Sequence, residues 1–232
     1  AVVFRLLKKD EAVDIFSYMS SDTQEKLVET LSDQEVAAIV SKLYIDDAAD
    51  LIDELPANLV SKVLQNASPT KRKAINEILK YPEDSAGSIM TVEYVDIKSG
   101  LTVKECFDRI RRIGLNKETV YTLYVVDADR RLIGVTTVKE LLMRDYDTCI
   151  NDFMEDNVIT VTTNEDKEEV AKMFDKYDFL ALPVVDNENR LVGIVTVDDA
   201  MDVMSEENEE DFEIMAAMTP SEDDYLKESV IT

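Results

Sequence analysis

The sequence predicts an α+β fold in three parts: an all-α superhelical N-terminal domain, a tandem pair of β-α-β-β-α repeats, and a C-terminal connecting helix. Three observations predict it. Helix start signals recur through residues 1–86, where no glycine interrupts the chain. The next 120 or so residues match themselves at a constant offset of 59. Residues 191–226 then contain no Lys or Arg, and acids recur through them at helical spacing.

The N-terminal elements follow from their caps. Ser32-Asp33-Gln34-Glu35 is a capping box, in which serine and glutamate satisfy each other's free backbone N–H groups. Asp22 and Glu25 have the same spacing. Pro56 suits a first helical turn, and Ser68-Pro69 is an N-cap with proline at the first helical position. Between the caps, apolar residues fall three and four apart: Leu27, Leu31; Val36, Ile39, Val40, Leu43; Leu51, Ile52, Leu55; Leu59, Val63, Leu64; Ile75, Ile78, Leu79. Helices this short are marginal alone, so they must pack on one another. The Tyr81-Pro82 step ends the last helix, because a residue before proline avoids the α region.

The repeat is clearest where residues 124–135 align with residues 183–194. Each copy reads as strand, polar turn, strand: Tyr124-Val125-Val126-Asp127 and Leu132-Ile133-Gly134-Val135 in the first, Pro183-Val184-Val185-Asp186 and Leu191-Val192-Gly193-Ile194 in the second. Thr137-Val138-Lys139-Glu140 and Thr196-Val197-Asp198-Asp199 then each open a helix, with a threonine cap and an acid three residues on. Upstream, each copy has a strand and an amphipathic helix, near residues 102–113 (capped by Thr102 with Glu105) and 165–177. A repeat of this length is one supersecondary unit that buries its sheet against its twin.

Composition narrows function. The 232 residues carry 50 Asp+Glu against 25 Lys+Arg, a formal net charge of −25, with 45% hydrophobic residues. Such a chain can build a core, but its surface repels phosphate backbones, so nucleic acid is excluded as a partner. Cations and basic proteins fit it; so does a solvated acidic surface with no ligand. Histidine is absent, which removes the usual general base and the commonest transition-metal ligand. Cys106 and Cys149 lack C-x-x-C spacing and suit a reducing compartment. There is no signal-peptide pattern and no apolar run of membrane-spanning length.

Along the last helix, Asp199, Asp202, Glu206, Glu210 and Glu213 share one face. Like charges one turn apart destabilise a helix by about 0.2–0.5 kcal/mol per pair, and a divalent cation relieves this. Mg²⁺ and Ca²⁺ take oxygen ligands, and Mg²⁺ needs only one or two carboxylates. The alternative is a solvated acidic face. Asp46 and Asp50 form a second i, i+4 pair, where Asp46 could equally be a helix cap. No nucleophile–base pair accompanies these acids, so the chain reads as no enzyme.

The glycine, Ser/Thr and acid at fixed spacing in residues 134–140 and again in 193–199 resemble the hallmark of the CBS domain. Tyr81-Pro82-Glu83-Asp84-Ser85-Ala86-Gly87-Ser88-Ile89-Met90-Thr91 is similar to the junction of MgtE-type magnesium channels, where a helical N domain meets the first CBS copy. Asp178-Phe179, residues 195–203, Glu209-Glu210-Asp211-Phe212 and Tyr225-Leu226-Lys227 are also similar to that family. The resemblance implies an N domain over 1–86, CBS copies over 87–146 and 147–204, and a connecting or plug helix over 205–232 that leads to a transmembrane pore beyond this chain. It places the chain at the cytoplasmic face of the cell membrane, as a homodimer through its CBS domains. It implies Mg²⁺ ligands at Asp46 and Asp50 in the N domain, Asp166, Glu168, Asp178, Asp199 and Asp202 in the second copy, and Glu207, Glu210 and Asp211 in the tail. Mg²⁺ between these acids would close the domains and the pore. Many CBS pairs bind adenine nucleotides, so the resemblance also offers an ATP cleft at Thr137, Lys139, Glu140 and Phe179, although Thr137 and Glu140 also fit a plain capping box.

Overall fold

The structure, a computed structural model, describes residues 9–215 together with Phe4 and Leu7. The expected tail motif at Tyr225-Leu226-Lys227 lies outside them.

Among the described residues, six short helices build the N domain: α1 (Lys9–Ser17), α2 (Ser21–Thr30), α3 (Asp33–Val40), α4 (Ile45–Glu54), α5 (Ala57–Asn66) and α6 (Pro69–Ile78). Each packs on the helix two further along: α1 on α3, α2 on α4, α3 on α5, α4 on α6. That i, i+2 stacking is the expected superhelix. Its core runs through Phe16, Leu27, Val28, Val36, Val40, Ala48, Leu51, Val63 and Ile75. The Ser32/Glu35 capping box and the Ser68-Pro69 start form as predicted.

Three details differ from the sequence reading. Ser20, not Asp22, stands at the cap position of α2, and its side chain makes no cap hydrogen bond. Pro56 is itself the cap position of α5, one residue ahead of the first turn. α6 stops at Ile78 because the chain turns at once, with Tyr81 N–H donating to the Ile78 carbonyl at 2.9 Å, so Pro82 only reinforces an ending already made. The free carbonyls at helix ends are met by cations from neighbouring helices. Lys62 donates to the Val28 and Leu31 carbonyls at 2.7 and 2.6 Å, Arg72 to the Gln65 and Ala67 carbonyls at 3.3 and 3.2 Å, and Lys71 to the Leu43 carbonyl.

Each repeat folds as β-α-β-β-α. The first holds β1 (Asp96–Lys98), α7 (Val103–Ile113), β2 (Thr122–Val126), β3 (Leu132–Thr137) and α8 (Val138–Leu142). The second holds β4 (Val161–Thr162), α9 (Lys167–Tyr177), β5 (Ala181–Val185), β6 (Leu191–Thr196) and α10 (Val197–Met215). In each three-stranded sheet the first strand is parallel to the second and the second antiparallel to the third. Even the irregularities repeat: the register slips at Val125/Val126 and again at Val184/Val185. Asp127 Oδ1 accepts from the amides of Asp129 and Arg131, as Asp186 Oδ1 does from Glu188 and Arg190, which closes the same turn twice. The turns meet across the pair, Leu132 N–H donating to the Asn189 carbonyl at 2.9 Å and Leu191 N–H to that of Arg130 at 3.1 Å. Tyr94, Tyr124, Val126, Leu132, Val185, Leu191 and Ile194 form the core between the copies.

The chain exchanges its lead-in segments. Residues before the first repeat pack on the second: Ala86 and Met90 lie in its core, and Thr91 pairs with Ile194 of β6. The segment before the second repeat serves the first, with Ile150 in its core and Glu155 paired with Val135. Glycine permits both crossings. A Cβ on Gly193 would stand 2.5 Å from Met90 Sδ and 2.9 Å from the Thr91 carbonyl, and one on Gly134 would stand 2.7 Å from Met154 Sδ. α10 runs unbroken past residue 205, so the last helix of the second repeat and the expected connecting helix are one element over the described residues. No helix among the described residues is long and apolar enough to cross a membrane.

Candidate functional site

The site grows out of the lead-in segment. α4 begins after Tyr44, whose side chain makes no cap hydrogen bond. The free N–H of Ile45 instead donates to the Glu93 carboxylate at 2.8 Å, a cap supplied from 48 residues away. Asp46 follows directly and is buried, 5% exposed. Across from it, Asp199 sits in the first turn of α10, where its carboxylate accepts from both the amide and the hydroxyl of Thr196. Glu118 comes from the loop between α7 and β2. Its N–H donates to the Glu93 carbonyl at 2.9 Å, and its carboxylate is hydrogen-bonded to Thr91.

Asp46, Glu118 and Asp199 each bring a carboxylate oxygen within 4.8 Å of the other two. Among the described residues, Asp46 Oδ1 and Glu118 Oε2 are buried without a hydrogen-bond partner. An unpaired buried acceptor is costly, and three anions in one small space cost more. The carboxyls respond accordingly. Burial, and then the charge of Glu118, hold Asp46 well above the usual range. Burial pushes Asp199 to about 7 and Glu118 to about 8, with neighbouring carboxylates adding to each. On the α4 side, the charge of Lys71 acts on Glu93, Asp47 and Asp46. Oxygen-only donors, buried and unsatisfied, are the donor set a hard divalent cation takes.

Beside this cluster lies a cleft of about 640 Å³ between the N domain and α10. Asp47, Asp50 and Asp53 of α4 line one side, and Asp199, Asp202 and Glu206 line the other, with Lys167 at the edge. The two acidic stripes read from the sequence thus face each other. Asp46 and Asp199 meet directly, and Asp50 and Asp202 share the cleft. Glu207 lies further along α10; Glu210 and Asp211 are on its backbone, but their side chains lie outside the described residues.

The other expected ligands have local roles. Asp166 caps α9, its Oδ1 accepting from the amides of Glu168 and Glu169 at 3.0 and 3.2 Å. Glu168 pairs with Lys172 at 2.6 Å, and Asp178 ends α9 in a left-handed conformation, φ 55°. None of the three belongs to the three-acid cluster. Glu118 and Glu93 escaped sequence reasoning, since each is a lone loop acid with no periodic partner. Of the nucleotide candidates, Thr137 caps α8 by accepting from the Glu140 amide at 3.2 Å, Glu140 pairs with Arg144 at 3.1 Å, and Lys139 is exposed. Phe179 packs on the second repeat's core, edge-on to Phe174.

A family model described as the MgtE intracellular N domain matches residues 1–84, and one for the CBS domain matches residues 86–147 and 150–206. The chain is 39% identical over 221 residues to the magnesium transporter MgtE of Thermus thermophilus, covering 94% of this chain and 49% of that protein. It is 34% identical to the magnesium transporter MgtE of Bacillus subtilis, over 91% of this chain and 47% of that protein. It therefore spans about half the length of these curated relatives. Its fold matches a crystal structure of the cytosolic domain of the Mg²⁺ channel MgtE in complex with ATP, at a TM-score of 0.83 and 39% identity, covering 87% of this chain and 83% of that one.

Proposed function

The chain belongs to the MgtE family of magnesium transporters, and from that premise we propose that it is a Mg²⁺-sensing regulatory region whose closure on the ion sets the state of a pore carried elsewhere in the full-length protein. One observation carries this reading: Asp46, on an N-domain helix with its carboxylate near that of Asp199 on α10, has its Oδ1 buried without a hydrogen-bond partner among the described residues. Asp46 and Asp199 would hold the ion, with Asp50, Asp202 and the acids further along α10, Glu207, Glu210 and Asp211, near further ions in the cleft. Bound Mg²⁺ supplies positive charge that offsets the repulsion between the two stripes. Without it, two like charges at this separation repel by several kcal/mol at a near-surface dielectric, and the N domain swings away from the CBS pair. An ion that binds the closed form better shifts the population toward it. Several weak sites acting together make that shift steep.

In this reading the domain works at the cytoplasmic face of the membrane, as a homodimer through its CBS domains, and α10 passes the N-domain position on to the transmembrane part. Small-angle scattering in millimolar Mg²⁺ and in chelator tests it. The radius of gyration should fall with Mg²⁺ in the wild-type chain and stay fixed in Asp46→Asn; a wild-type radius indifferent to Mg²⁺ sinks the proposal.

A second ligand is favoured by one observation, the ATP held by the similar MgtE cytosolic domain. Thr137, Lys139, Glu140 and Phe179 are the residues we assign to an adenine nucleotide here, as a modulator rather than a substrate. Calorimetry with ATP should give binding that Phe179→Ala removes. Equal binding by both chains would move the nucleotide elsewhere.

A further inference from the structure

We infer that Glu118, on the loop between α7 and β2, is the third carboxylate of the cation site, so that one ion ties the N domain, the first repeat and α10 together. This rests on the reading of Asp46 and Asp199 as cation ligands and adds to it a part of the chain that neither acidic stripe includes. Three features of the structure carry it. First, the Glu118 carboxylate lies in the same cluster, with an oxygen within 4.8 Å of both others. Second, its Oε2 is buried without a hydrogen-bond partner among the described residues, and so is Asp46 Oδ1. A glutamate on a surface loop has water within reach of an outward rotamer, and burial toward two other anions is the costlier choice unless a cation compensates.

Third, Glu118 is held in place. Its amide is fixed to the Glu93 carbonyl and its carboxylate is hydrogen-bonded to Thr91, which is itself fully buried. Glu93 uses its carboxylate to cap α4, the helix that carries Asp46. The two acids therefore hang from opposite ends of one residue, and their separation is set before any ion arrives. Preorganised ligands of this kind lose little freedom on binding. The ammonium of the neighbouring Lys117 lies over the ring of Tyr94, and its charge acts on Glu93 and Asp96. Asp50 and Asp202, by contrast, stand on the exposed walls of the cleft.

Two substitutions in the 232-residue chain separate ligation from charge. Glu118→Gln keeps the size and removes the charge. Its melting temperature in chelator should equal or exceed that of wild type, while its gain in millimolar Mg²⁺ should be smaller, with the Mg²⁺ affinity measured by calorimetry weakened about tenfold or more. Glu118→Asp keeps the charge but withdraws the oxygens by one methylene, and it should also bind Mg²⁺ more weakly. If Glu118→Asp binds as wild type does, the residue acts only through its charge and the ligand assignment is wrong. If Asp46→Asn loses the Mg²⁺ response and Glu118→Gln keeps all of it, Glu118 is not a ligand, and the Asp46–Asp199 site stands without it. If Asp46→Asn and wild type respond alike, the underlying site itself fails.

Discussion

Glu140 and Asp199 occupy the same position in the two repeats, 59 residues apart, each in the first turn of a helix that opens after a threonine. Their circumstances are opposite. Glu140 is half-exposed and answers to Arg144 one turn on, in a helix that ends at Leu142. Asp199 faces Asp46 and Glu118, in a helix of 19 residues with no basic residue in its last turn. The repeats themselves do not explain this, because strand register and turn agree in both. The exchanged lead-in segments do. The chain leaving the N domain pairs with β6 at Thr91 and so delivers α4 and the Glu118 clamp to the second repeat. The segment that pairs with β3 at Glu155 follows α8 and brings no such domain with it. A repeat position becomes a site through what the topology lays over it.

The largest test of this difference is pH. Asp199 at about 7 and Glu118 at about 8 stand above their ordinary values of 3.8 and 4.5, with burial as the first cause. Raised carboxyl values mean that the folded state holds more protons than the unfolded one between about pH 4 and 8, so stability falls as pH rises through that window. In chelator the loss should be on the order of a few kcal/mol, a drop of roughly 10 °C in Tm for a chain this size. Mg²⁺ holds the carboxylates charged and should flatten the slope. A Tm that is level from pH 5 to pH 8 in chelator would remove the electrostatic difference between the repeats.

Next in size is the paired neutralisation of the two equivalent acids. Asp199→Asn should raise stability in chelator, on the order of 2 kcal/mol, by relieving a buried like-charge contact, and should abolish the Mg²⁺-dependent gain. Glu140→Gln should leave that gain intact. Denaturant melts in both conditions read the two effects, and a matching response from the two variants would mean that the repeats share the site.

Much of the difference was legible in residues alone. The 59-residue offset gave both sheets, their turns and the order of elements, because β-branched runs and Asp-rich turns report local chemistry. The acidic stripes of α4 and α10 were visible as periodic charge. Glu118 was not, since its role depends on a hydrogen bond to Glu93 and on Thr91 crossing to β6, contacts set by tertiary topology. The cap positions at Ser20 and Pro56 differ from the sequence expectation by one or two residues, because neither start is fixed by a side-chain cap hydrogen bond and helix ends are set only to within a residue or two.

The crossing glycines give a smaller but sharper contrast. Alanine at Gly193 would press on Met90 Sδ and the Thr91 carbonyl, and alanine at Gly134 on Met154 Sδ and, at 3.1 Å, the Glu155 carbonyl. Both should cost about 1–2 kcal/mol, since a methionine end can yield but a backbone carbonyl cannot easily do so. Only Gly193→Ala moves the segment that positions Glu118 and α4, so only it should also weaken the Mg²⁺ response. A Gly134→Ala chain that loses the response equally would mean that the crossing at β6 has no special part in the site.

The smallest expected effect is at Arg144, the partner that Glu140 has and Asp199 lacks. Arg144→Gln removes an exposed i, i+4 ion pair worth about 0.3–0.5 kcal/mol and a stack over the Phe153 ring at 5.4 Å worth about as much again. The Tm should fall by only about 2–4 °C. Water takes over Glu140 once the guanidinium is gone, which the buried neighbours of Asp199 do not allow. High salt should narrow the gap to wild type, because it screens the ion pair in the parent chain, but should not close it, because the lost ring contact is not screened. A loss as large as the effect of Asp199→Asn would show that Glu140 depends on its charge partner as strongly as Asp199 does, and that burial under the N domain is not what separates the two positions.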